Sequence, residues 1–152
     1  MMLNNIEFSE ELIKSLYCFY LEENVQPDSI QYRTEQITPK ESMHSIAKPE
    51  DLAHLMQHYI GQITTSSYSL SAIEVAAFAY KRFLDIYPFD AYNEETGMAI
   101  ASVLLQKAGY FFNGIPACLQ NEFKKAIQHA QKTGMPDDLI TVFSKAVNDF
   151  IN

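Results

Sequence analysis

The sequence predicts an all-α fold, a single mainly helical domain carrying one small β-hairpin. Apolar residues recur at helical spacing in six segments, and Pro, Gly and Ser/Thr clusters separate those segments. One short stretch instead alternates apolar and polar side chains, which is the period of a half-buried strand.

The first helix opens on Ser9 as N-cap, with Glu10 and Glu11 in the first turn and Leu12, Ile13, Leu16, Phe19 and Tyr20 following at helical spacing. Its end is expected near Glu23. From Asp28 to Met43, "DSIQYRTEQITPKESM" changes period: Ile30, Tyr32 and Thr34 alternate with polar residues, and Pro39-Lys40 offers the turn of a partly exposed hairpin. Pro49 starts a second helix bearing Leu52, Leu55, Met56, Tyr59, Ile60 and Ile63, which "TTSSYS" ends. Ser71 and Glu74 have the spacing of a capping box and open a third helix with Ile73, Ala76, Ala77, Tyr80, Phe83 and Leu84 on one face. Pro88 stops it by driving Tyr87 out of the helical region. A fourth runs from about Thr96 to Lys107, with Gly109 placed to close it and with small residues Ala99 and Ala101 for close packing. Two more complete the chain. One carries Leu119, Phe123, Ala126, Ile127 and Ala130 and ends at Gly134; the other starts near Asp137 with Leu139, Ile140, Phe143, Val147 and Phe150. No repeat, linker or low-complexity tract divides residues 1–152, so one domain is expected.

A net charge of −8, from 19 acidic against 11 basic residues, argues against a partner bound by neutralising phosphates along nucleic acid, and against an anionic membrane surface. No apolar run approaches the ~20 residues that span a bilayer, and the N-terminus lacks a secretory layout. Cys18 and Cys118 lie in unrelated contexts, which favours reduced thiols and a cytoplasmic location. His54 and His58 share a helix face at a spacing that can hold zinc, but no third ligand is identifiable, so no metal site is assigned.

The joint "IYPFDAYNEETGMAIASVLLQKAGY" resembles the central motif of the Fic/Doc family, H-P-F-x-(D/E)-G-N-G-R-x-x-R followed by a helix ending in a Gly-aromatic pair. Pro88, Phe89 and Asn93 stand at the family's Pro, Phe and Asn, and Thr96-Gly97 repeats a Thr-Gly often found inside the final x-x. The flanks carry the resemblance over about residues 12–150. "YRTEQITPKESMHSIAKPEDLAHLMQHY" is similar to the family's flap hairpin and following helix, and "LQNEFKKAIQHAQKTGMPDDLITVFSKAVNDFI" to its closing helices. The resemblance implies a Fic-fold helical bundle with a flap, and transfer of AMP or another phosphate-containing group to a hydroxyl of a protein target (AMPylation).

The motif departs from the family at the positions that carry the implied chemistry. Tyr87 replaces the His base, and a phenol with an ordinary pKa near ~10 is a poor base at neutral pH. Ala91 stands at the magnesium ligand and has no oxygen to offer, with Asp90 beside it; Tyr92 and Glu94 replace the glycines that let backbone approach phosphates. Glu95 and Met98 replace the two Arg clamps. Glu94 and Glu95 would instead satisfy the helix N-terminus from within the protein, and Asn93, the one polar signature residue left, is either a nucleotide contact or an N-cap. "CFYLEEN" lies where some members carry an inhibitory helix, making Glu22 a relic without its Arg partner.

These residues suggest a degenerate member, a pseudoenzyme without nucleotide or metal cofactor, acting as a protein-interaction or regulatory module. Tyr32, Arg33 and Thr34 of the flap would contact an extended partner segment. The alternative is an active nucleotidyl or phosphate-group transferase with an altered donor or mechanism, using ATP and magnesium. Against it, no Lys or Arg lies between Tyr87 and Met98, and the nearest are Lys81 and Arg82. A structural subunit, including a homo-oligomer, stays open.

Overall fold

The computed structural model describes residues 6–39 and 45–151, apart from the side chains of 148–151. Its α-helices are α1 (Glu10–Cys18), α2 (Leu52–Ser66), α3 (Ala72–Ile86), α4 (Asn93–Lys107), α5 (Gln120–Thr133) and α6 (Asp137–Ile151). Short 3-10 turns at Pro27–Ser29, Pro49–Asp51 and Ala117–Leu119 join them.

Helix α3 is the central element. Its start is the predicted capping box: Ser71 Oγ accepts from the Glu74 N–H, and Glu74 Oε1 accepts from the Ser71 N–H. Ala76, Ala77, Ala79 and Phe83 are fully buried along it, which requires neighbours on several sides. On one side Tyr59 of α2 donates its hydroxyl to the Ala79 carbonyl at 2.7 Å. On another, α4 approaches so closely that a Cβ at Gly97 would lie 3.3 Å from the Phe83 and Tyr80 rings. Ala101, one turn on from Gly97, is fully buried. Phe123 of α5 and Phe143 of α6 pack tilted against Tyr80, and Phe112 and Phe123 meet Phe143 edgewise, fixing α5 and α6 to α3. Gly134, at φ 77°, ends α5 as expected from its place in the sequence.

Two expectations are corrected. Helix α1 ends at Cys18 rather than near Glu23, because Tyr20 and Leu21 turn back to the carbonyls of Tyr17 and Cys18 three residues earlier and break the ladder. The small hairpin is not seen: no strand forms among the described residues, and its expected turn at Lys40 and its end at Met43 lie outside them. Residues 30–39 run instead as an irregular strap with a bend at Glu35, whose Arg33 N–H donates to the Pro88 carbonyl at 2.9 Å in the α3–α4 loop rather than to a returning strand.

The predicted alternation holds from Ile30, which is buried, through exposed Gln31 to half-buried Tyr32, and fails after it, since Arg33 is 2% exposed while Thr34 is exposed. Arg33 Nε donates to the Tyr87 carbonyl at 2.6 Å, Nη1 to Glu35, and Nη2 to Ala47 and Ile86. Burial lowers its pKa, yet an arginine stays charged, and the carbonyls it meets include the last ones of α3. Tyr32 pins the other side of the strap. Its hydroxyl donates to Glu10 Oε2 at 2.8 Å, and that hydrogen bond, followed by Lys14, lowers the Glu10 pKa. No described helix is long and apolar enough to cross a membrane.

Replacing Arg33 by Ala leaves buried carbonyls unanswered and should lower stability by about 3 kcal/mol. Urea unfolding measures this, and a loss below about 1 kcal/mol would show that the strap is dispensable. Burial raises the pKa of Tyr32, Tyr59 and Tyr80, so the native state holds their protons after the unfolded chain has released them. Their contribution is therefore complete below about pH 10 and declines above it. The urea midpoint should fall as the pH rises through that range, and a midpoint unchanged between about pH 9 and pH 11 would contradict this.

Candidate functional site

The joint between α3 and α4 is built by two residues in the left-handed region. Tyr87 ends α3 at φ 54°, its N–H donating to the Phe83 carbonyl at 2.8 Å, and Tyr92 precedes α4 at φ 57°. Neither is a glycine, so both conformations are strained and must be held by their surroundings. Asn93 supplies part of that hold. It is fully buried; its Oδ1 accepts from the Phe89 N–H at 3.0 Å and its Nδ2 donates to the Phe89 carbonyl at 2.9 Å. Asn93 is thus the first residue of α4 rather than its N-cap, and it closes the loop on itself.

Phe89 anchors the same loop from within. Its ring is fully buried and stacks on Tyr17 of α1, with centroids 4.0 Å apart and planes at 8°. Tyr32 of the strap and Phe83 of α3 pack against its other sides. Pro88 is buried, and its carbonyl holds the strap. Gly97 gives α4 its close seat on α3.

The outward side of the loop is acidic and aromatic. Asp90, Ala91, Glu94 and Glu95 are exposed, and Tyr92 is 37% exposed beside Tyr20, with ring centroids 6.0 Å apart. Tyr20 donates its hydroxyl to the Glu95 carbonyl at 3.3 Å. Tyr87 is half-buried and donates its hydroxyl to Glu94 Oε1 at 2.7 Å. Burial first, then that hydrogen bond and the charges of Glu94 and Glu95, raise the Tyr87 pKa above that of a free phenol. At neutral pH it is a proton donor. Burial and Glu95 push Tyr20 the same way, and burial and Asp90 push Tyr17. Thr96 is fully buried, and its hydroxyl has no hydrogen-bond partner among the described residues.

The structure brings together Tyr87, Pro88, Phe89, Asp90, Ala91, Asn93, Glu94, Glu95 and the half-buried Met98 at the start of α4. Of the three expected flap contacts, Arg33 is committed to the interior and Tyr32 to Glu10, leaving Thr34 exposed. Glu22 is exposed in the turn after α1. His54 and His58 are exposed on α2, and among the described residues no group of three His, Cys, Asp or Glu could hold a metal. Sequence reasoning missed Tyr17 and Tyr20 as members of the site. Their i, i+3 spacing at the end of the first helical pattern marks a shared face, but not that α4 and Phe89 lie beneath it.

No curated protein matches the chain. Among solved structures it is similar to Fic-1 of C. elegans, with a TM-score of 0.80 and 18% identity over 95% of this chain and 42% of that one. It is also similar to a Fic domain containing signaling protein of Bacteroides thetaiotaomicron, with a TM-score of 0.74 and 15% identity over 95% of this chain and 63% of that one. A third is IbpAFic2 covalently tethered to Cdc42, with a TM-score of 0.68 and 19% identity over 94% of this chain and 48% of that one. The chain therefore spans less than two thirds of each of these proteins. At such identities the likeness establishes a shared helical fold. The profile of the Fic/DOC family matches residues 7–105, well over half of the sequence, and the chain belongs to that family.

Proposed function

We propose that this chain is a Fic-fold protein without AMP transfer, a pseudoenzyme that serves as a protein-interaction or regulatory module built as one domain over residues 1–152. The observation that carries the reading is the contact between Tyr87 and Glu94, at the positions where the family pattern has a His base and a phosphate-cradling glycine. A base must accept a proton, and the Tyr87 hydroxyl already donates one to a carboxylate that raises its pKa.

Electrostatics support the same reading. A helix N-terminus favours anions, and α4 receives them from its own Glu94 and Glu95. A nucleotide triphosphate arriving there would meet two carboxylates and no Lys or Arg from residue 87 to 98. An active transferase of altered mechanism would have to recruit Lys81 or Arg82 from a turn of α3 further back. The exposed surface at Asp90, Tyr92, Glu94 and Glu95, with Thr34 on the strap nearby in the fold, is what remains to meet a protein partner. IbpAFic2 tethered to Cdc42 is a precedent for a protein held by this fold. Cytoplasmic placement, with Cys18 and Cys118 as free thiols, belongs to the same proposal.

Titration calorimetry with ATP and magnesium should give no saturable heat up to about 1 mM nucleotide. A micromolar dissociation constant would overturn the proposal in favour of the transferase. Tyr87→His combined with Glu94→Gly and Glu95→Arg returns a base, a glycine and a cation to their places, and saturable ATP binding is the expected gain. A well-folded triple variant that still gives no heat would count against this alignment of the loop with the family motif.

A further inference from the structure

A cavity of about 500 Å³ opens between residues 45–47, Leu55 of α2, the C-terminal half of α3 and Gln131 of α5. None of residues 87–98 lines it, so it is a different place from the acidic loop. Lys81 and Arg82 line it together with Asp85, one turn on from Lys81, and Ser45 stands at the rim.

The chain has two arginines, and their surroundings contrast. Arg33 donates to four carbonyls and is fully answered within the protein. Arg82 is half-buried and forms no hydrogen bond or ion pair with any described residue, in a chain that has eight more acidic than basic side chains. Its neighbour Lys81 pairs with Asp85 at 2.6 Å, so among the described residues that line the cavity Arg82 is the charge with no ion-pair partner. A guanidinium carries five N–H donors in a planar fork, and one partly withdrawn from water is stabilised by an oxyanion. The C-terminal end of a helix would ordinarily repel such an anion. Here the carbonyls of Ile86 and Tyr87 accept from Arg33, which offsets that repulsion.

We propose that this cavity binds a small phosphate-bearing anion, either inorganic phosphate or a phosphomonoester, on the fork of Arg82 with the Ser45 hydroxyl and the Lys81 ammonium beside it. Phosphate suits the donor set better than carboxylate, because three oxygens can answer the guanidinium, the hydroxyl and the ammonium together.

The test is an NMR titration of the full chain at constant ionic strength with inorganic phosphate, glycerol phosphate and acetate in separate arms. Saturable shifts are expected at the backbone amides of Ala47 and Arg82 and at the Arg82 Nε–H, with a dissociation constant of about 1 mM or lower for a phosphate arm. Acetate should bind about tenfold more weakly. Tighter binding of glycerol phosphate identifies the monoester as the ligand, and tighter binding of inorganic phosphate identifies the free ion. Arg82→Gln should weaken the phosphate arm about tenfold or more, Arg82→Lys less, and Lys107→Gln, outside the cavity, should not weaken it. Absence of saturable shifts, equal binding by Arg82→Gln, equal binding of acetate, or equal loss in Lys107→Gln would overturn the proposal.

Discussion

The guanidinium of Arg33 joins three parts of the chain that otherwise share no covalent neighbour. It holds its own strap through Glu35, the segment before α2 through Ala47, and the end of α3 through Ile86 and Tyr87. The end of α3 most needs such a partner. A helix terminus leaves carbonyls unpaired, and the Pro that follows cannot contribute an N–H to them. A water could serve at the surface, but Ile86 is fully buried. The charged donor therefore decides where α3 ends, and so where the joint to α4 begins. Tyr87 sits in the left-handed region one residue past that end, its carbonyl taken by Arg33, its N–H by Phe83 and its hydroxyl by Glu94. With every polar group of the residue committed, its strain is held from three directions.

The joint divides by burial. Pro88, Phe89, Asn93 and Gly97, the residues that agree with the Fic/DOC pattern, face inward: Phe89 against Tyr17, Asn93 onto the Phe89 backbone, Gly97 against Phe83 and Tyr80. Ala91, Tyr92, Glu94 and Glu95, which depart from it in the proposed alignment, are exposed, while Tyr87 and Met98 are half-buried. Inward residues are constrained by packing density, where a single added methylene is felt. Outward residues can change charge or size with little effect on stability. A family fold can therefore persist while the chemistry displayed at this loop changes, and the fold alone does not say which chemistry is displayed.

The helices were legible in the sequence because their signals are local. The capping box at Ser71 and Glu74, the stop at Pro88 and the closing Gly134 each act within a few residues, and each is where the pattern placed it. Residues 28–39 were not legible for the same reason. Alternation of Ile30, Tyr32 and Thr34 with polar neighbours reads as a strand, but whether an extended chain pairs with itself or with a distant loop depends on a tertiary partner. The sequence places Arg33 at the surface because a charged residue is seldom buried, and the carbonyls that make its burial favourable come from as far as Tyr87. Asn93 was recognisable as a signature residue, but its role as a clamp on Phe89 was not. A local cap and a loop clamp use the same amide, and only the φ of Tyr92 separates them.

The strap and the loop are mechanically one unit, and this bears on how a partner could act on the protein. The Arg33 N–H meets the Pro88 carbonyl, the Tyr32 ring meets Phe89, and the Tyr32 hydroxyl meets Glu10 of α1. Tyr17 of α1 and Tyr20 of the turn after it in turn meet Phe89 and Tyr92 of the loop. Each contact closes a circuit of strap, loop and α1, so displacing the strap would expose Phe89 and leave the α3 carbonyls without their donor. Both consequences oppose the movement, one through apolar surface and the other through unsatisfied buried acceptors. A partner engaging Thr34 from outside would therefore meet a surface already set in place, and its binding would lose little free energy to ordering the strap. That rigidity is what a docking surface requires, whereas a flap that must open over substrate would need a weaker tie to the end of α3.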